Sequence, residues 1–129
     1  MSAWRQAAIN AFPEAKREFL EMERMEEVWP FLQPLLSTAV KHNNQATLSQ
    51  FLDFANWVLV ARPGSRPGGV LKVPTEPVIK FILNHAELLF EGRSRQDFFR
   101  IQPGLRYHLS KDQKKVFEEF LKNTPKYVR

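Results

Sequence analysis

The chain has 129 residues with no cysteine, nine prolines, five glycines, 43% apolar and 26% charged positions, and a formal net charge of +5. A chain of this length buries roughly two thirds of the surface it exposes when unfolded, so one hydrophobic core holds it as a single domain, 1–129, without crosslinks. With no cysteine, disulfide scaffolds, thiolate zinc sites, iron–sulfur clusters and cysteine nucleophiles are excluded.

The opening Met1-Ser-Ala-Trp-Arg-Gln lacks the apolar run of a secretory signal, and no window approaches the length of a membrane span. A cytoplasmic, soluble protein is the expectation.

Helical spacing dominates from the start. Ser2 is placed to cap a short helix carrying Trp4, Ala7, Ala8 and Ala11, which stops at Phe12 because Pro13 disfavours helical dihedrals before it. A second helix is predicted over Glu14 to Glu27, with Ala15, Phe19, Met22 or Leu20, and Met25 inward. Glu14, Arg17, Glu18, Glu21, Arg24 and Glu27 then form its wet side. Phe31, Leu32, Leu35, Leu36, Ala39 and Val40 read as a largely buried helix that either begins near Gln33 or has a first turn distorted by Pro34. Asn43-Asn44 is a turn and cap, and Gln45 to Val60 is the clearest helix of the first half, with apolar groups at steps of three and four.

Residues 62–74 differ in kind. Three prolines, three glycines, Arg62, Arg66 and Lys72 in thirteen positions oppose a regular helix, so a long, basic Gly/Pro-rich loop is predicted there. Thr75 is the expected cap of a central helix ending at Gly92, with Val78, Ile79, Ile82, Leu83, Ala86, Leu89 and Phe90 on its apolar face. Ser94 with Asp97 resembles a capping box for a short helix holding Phe98 and Phe99. Gln102-Pro103-Gly104 is a turn signal, and the alternation of Leu105, Tyr107 and Leu109 is too short to establish a strand. Ser110 and Gln113 open a final helix with Val116, Phe117, Phe120 and Leu121 inward. The fold expected is all-α: a single-domain irregular helical bundle of five to seven helices with the long basic loop between two helical halves.

Chemistry is sparse. The common phosphate-loop, dinucleotide, zinc-protease, serine-hydrolase and calcium motifs are missing. His42, His85 and His108 share no metal-ligand spacing, and Glu26-Glu27 and Glu118-Glu119 lie on exposed helical ground, where a carboxylate gains little as a general acid. No catalytic residue, metal or cofactor is expected. The charge is more informative: residues 1–60 carry five basic and seven acidic groups, whereas residues 61–129 carry fourteen and seven. Arg62, Arg66, Arg93, Arg95, Arg100, Arg106, Lys111, Lys114 and Lys115 are the candidate binding residues, with Phe98, Phe99 and Tyr107 interleaved.

Phe12-Pro-Glu-Ala-Lys-Arg-Glu-Phe-Leu-Glu, Trp29-Pro-Phe-Leu and Gln50-Phe-Leu-Asp-Phe-Ala resemble small all-helical bacterial proteins of unknown function, some associated with toxin immunity. Leu109-Ser-Lys-Asp-Gln-Lys-Lys-Val-Phe-Glu-Glu-Phe-Leu is similar to the end of other small bacterial families. The resemblance implies binding or inhibition rather than catalysis. The expected function is a non-enzymatic protein-binding module of the immunity or adaptor type, pairing its cations with an acidic protein partner. The competing expectation is nucleic-acid binding by the same cations.

Overall fold

The computed structural model describes residues 2–59, 72–91 and 95–123. Their order is α1 (Ala3–Ala11), α2 (Lys16–Glu21), α3 (Val28–Lys41), α4 (Gln45–Leu59), α5 (Lys72–Asn84), α6 (Ala86–Phe90), α7 (Arg95–His108) and α8 (Lys111–Asn123). Single 3-10 turns, Pro13–Ala15 and Met25–Glu27, precede α2 and α3. Among the described residues there is no strand, and the fold is all-α.

Among the described residues eight α-helices stand where the spacing predicts five to seven: the expected central helix is divided in two, and the expected second helix is cut short. The stretch from Glu14 to Glu27 is broken at Met22, which is extended at φ −72° and ψ 141°. Arg5 of α1 supplies the reason. Its Nε donates to the Phe19 carbonyl at 3.0 Å, which also accepts the Met22 N–H, and its Nη2 donates to the Met22 carbonyl, so a cation sits at the negative end of α2. Met22 turns inward and Leu20 stays exposed, while the glutamate side of the segment is exposed as expected. Arg5→Ala removes these charge-assisted bonds and is expected to lower stability by about 1.5–3 kcal/mol. Urea unfolding checks this, and an unchanged midpoint would show that α2 ends without the guanidinium.

The central helix expected up to Gly92 breaks at His85, dividing α5 from α6. Thr75 lies inside α5 rather than capping it, since the helix begins at Lys72 and takes the last three residues of the predicted loop. The rest of that loop lies outside the described residues. Ser2 precedes α1, but its hydroxyl caps no backbone N–H.

Prolines are tolerated where their consequences reach water. Pro30 occupies the first turn of α3, where its missing N–H has no intrahelical partner to lose. Pro34 stands one turn further on, and both are exposed, so the carbonyl it leaves unpaired is solvated. The turn predicted at Gln102-Pro103-Gly104 is likewise absorbed into α7, with Phe98, Ile101 and Leu105 keeping one buried face across it. Elsewhere the local signals hold. Asn43 adopts φ 51°, the Asn44 side chain accepts from the Thr47 N–H at 3.3 Å, and Ser110 and Gln113 bond reciprocally at 2.9 and 3.2 Å.

The core is one contiguous cluster centred on α4, whose Leu48, Phe51, Leu52, Phe54, Ala55, Val58 and Leu59 are buried. Two aromatic groups tie the outer helices to it. Trp29, Phe51 and Phe81 join α3, α4 and α5 with ring centroids 4.7 to 6.3 Å apart. Phe90 joins α6 to α7 and α8 through edge contacts with Phe98, Phe99 and Phe120 at 5.7, 5.1 and 5.7 Å.

The longest seam is that of α4 with α7. At its end Gly104 lets the two backbones approach: a Cβ there would lie 3.1 Å from the Leu59 carbonyl oxygen. One turn on, His108 Nε2 is 2.9 Å from the same oxygen. The carbonyl only accepts, so the imidazole holds its proton on Nε2 and closes the end of α4.

Candidate binding surface

The structure divides the nine candidate cations into three groups. Arg62, Arg66 and Arg93 lie outside the described residues. Arg95, Arg100 and Arg106, all on α7, have intramolecular partners. Arg100 pairs with Asp53 of α4 and, at 3.7 Å, with Asp97, and Arg106 reaches Glu118 of α8 at 3.4 Å. Arg95 lies over the Phe90 and Phe99 rings, its guanidinium carbon 5.9 and 5.6 Å from their centroids. These arginines fasten α7 to its neighbours. Their ion pairs are about half exposed, so each stabilises by at most about 1 kcal/mol.

Lys111, Lys114 and Lys115 are different. All three are exposed on α8, and among the described residues none forms an ion pair. The geometry of α8 follows from its apolar spacing: Phe117 and Leu121 are buried and Phe120 is half-buried, which turns the opposite side to water. Lys111, Lys115 and Lys122 fall within about 40° of one another around that outer face. Lys122 is missing from the candidates drawn from sequence, although its step of seven from Lys115 is the signal that finds it.

Two large apolar side chains near the lysines in the chain are exposed. Tyr107, in the last turn of α7, is 72% exposed, and Val116, expected inward, is 58% exposed. The short link Leu109-Ser110 joins α7 to α8, and the Arg106–Glu118 pair and the Phe98–Phe117 ring contact bring the two helices together near Phe117. The other two interleaved aromatics are withdrawn from any such surface. Phe98 is fully buried, and Phe99 is half-buried against Phe90 and Arg95. Among the tryptophans, Trp4 is buried and Trp29 and Trp57 are half-buried against Phe51 and Phe54.

Among the described residues two titrating groups are displaced from their ordinary values. The backbone N–H groups of Arg24 and Glu23 donate to the Glu27 carboxylate at 2.8 and 2.7 Å and hold its pKa below the usual carboxylate range. Burial lowers the pKa of His85. The unfolded chain therefore binds the His85 proton first as the pH falls, and the fold loses stability as the pH drops below the ordinary value of 6.5. His85→Asn is expected to remove that part of the pH dependence. Urea midpoints of the two proteins across this range check it, and parallel curves would contradict it.

Among the described residues no three histidine, aspartate or glutamate side chains are grouped to hold a metal ion, and no helix is long and apolar enough to cross a membrane. No family model matches the chain, and neither a curated protein nor a solved structure is similar to it.

Proposed function

We propose that the protein is a non-enzymatic binding module of the immunity or adaptor type that docks on an acidic face of a partner protein through α8 and the last turn of α7. The observation that carries this reading is the α8 lysine group, exposed and outside any ion pair among the described residues, on the helix that follows the exposed Tyr107 and carries the exposed Val116. Lysines bring a partner's carboxylates to the rim, and the tyrosine ring and valine supply apolar area that desolvates at the centre. Chemistry at this surface has little to work with, since its lysines are solvated. The burial of Phe98 and the packing of Phe99 leave Tyr107 as the one exposed ring of the three interleaved aromatics, fewer than the successive stacking rings that hold single-stranded nucleic acid, and this favours a protein.

The test replaces Lys111, Lys114 and Lys115 together by glutamate and follows binding by fluorescence anisotropy. The probes are a labelled peptide of alternating glutamate and leucine clusters, single-stranded RNA and duplex DNA, each at two salt concentrations. The expected result is binding of the peptide that falls at least about tenfold in the variant, with weak and sequence-independent binding of the nucleic acids. Tighter binding of RNA or DNA than of the peptide, lost in the variant with a reduced salt slope, would replace this reading with the nucleic-acid one.

A further inference from the structure

A groove of about 300 Å³ runs between α3 and α5, away from the α8 lysines. Its walls include Trp29, Gln33 and Ser37 from α3, Lys80 and Phe81 from α5, and His85 at the α5–α6 break. Neither histidine spacing nor charge clustering marks this place in the sequence, because its members come from two helices about fifty positions apart.

The apolar part of the groove is made of interlocking rings. Trp29 and Phe81 are half-buried, meet edge to face at 6.2 Å, and are backed by the buried Phe51 at 6.3 and 4.7 Å. The His85 ring stands 4.6 Å from Phe81 and extends the aromatic wall. The polar part has one sign. Among the described residues no carboxylate lines the groove, Lys80 is its single formal charge, and that ammonium forms no ion pair. The Gln33 amide and the Ser37 hydroxyl are further donors on the α3 side.

We propose that this groove is a binding site for a small aromatic carboxylate, its ring against Trp29 and Phe81 and its carboxylate on Lys80. An aromatic body suits walls made of ring edges and faces, which favour offset and edge contacts with another ring. A carboxylate answers a lone ammonium through a charge-assisted hydrogen bond, and the volume is that of a small ligand, at the lower end of ordinary pockets. The site is independent of the α8 surface and shares no residue with it.

The experiment is an NMR titration of the isotope-labelled protein with benzoate, with benzamide as the neutral isostere and acetate as the ringless anion. Benzoate is expected to move the Trp29 indole N–H and the His85 backbone amide along saturating curves, with benzamide and acetate each at least about tenfold weaker. Lys80 is exposed, so Lys80→Gln leaves the core untouched; it is expected to weaken benzoate about tenfold and leave benzamide unchanged. Benzoate that moves no groove resonance, that binds no better than benzamide, or that binds Lys80→Gln as it binds the parent overturns the proposal.

Discussion

Phe90→Ala is expected to destabilise the fold by about 3–5 kcal/mol, the usual cost of deleting a fully buried phenylalanine ring. The ring has no exposed surface and meets Phe98, Phe99 and Phe120, so its loss opens a cavity where α6, α7 and α8 converge. The effect extends to the proposed function. The last helix is seated through Phe117, Phe120 and Leu121, and Phe117 stacks beside Phe120 at 6.5 Å. Loosening that seat is expected to weaken peptide binding without altering any charge. Guanidinium unfolding and hydrogen exchange of α8 amides check both parts, and a variant that unfolds at the parent's midpoint would contradict the placement of the ring.

Gly104→Leu is expected to cost about 3 kcal/mol, at the upper end of overpacking, because the obstacle is backbone rather than a side chain that swings aside. Even a methyl carbon at this position meets the Leu59 carbonyl oxygen at 3.1 Å and its carbon at 3.3 Å. Gly104→Ala divides the two contributions. Alanine gains roughly 0.5–1 kcal/mol of helix propensity over glycine, which offsets a shift of a few tenths of an ångström along the α4–α7 seam. The alanine variant should therefore unfold close to the parent while the leucine variant falls well below it. His108 reports the same displacement, since its Nε2 bond to Leu59 lengthens if α7 is pushed away. Equal stability of the leucine variant and the parent would mean that the two helices do not approach as closely at this point.

Much of the fold is legible from local spacing. The three- and four-residue steps of Leu48, Phe51, Leu52, Ala55, Val58 and Leu59 give α4 and its buried side, and Asn43 and Ser110 mark where helices turn and begin. The breaks are less legible because their causes are distant in the chain. Nothing near Met22 announces that Arg5 will hold its carbonyl, and nothing near Pro103 announces that the neighbouring glycine answers to Leu59. Proline and glycine read as a turn when only their own dihedrals are considered, and as a helix once burial of Ile101 and Leu105 on either side outweighs one lost hydrogen bond.

The candidate surface divides along the same line. Charge counting identifies the basic second half, but it treats Arg95, Arg100 and Arg106 as equal to the α8 lysines, although Phe90, Asp53 and Glu118 occupy them. Of the four side chains assigned inward on the last helix, Phe117 and Leu121 are buried and Phe120 is half-buried, and Val116 alone faces water, because it lies about 100° around the helix from Phe117.

The most direct test of the proposed function is an NMR map of the surface that an acidic partner covers. With the isotope-labelled protein and the glutamate–leucine peptide, amide shifts are expected to concentrate between Arg106 and Lys122, with the largest at Tyr107, Lys111, Lys115 and Val116. Shifts spread over α1 to α4 with that stretch unmoved, or a response confined to RNA, would contradict the assignment of α8 and the last turn of α7 as a protein-docking surface.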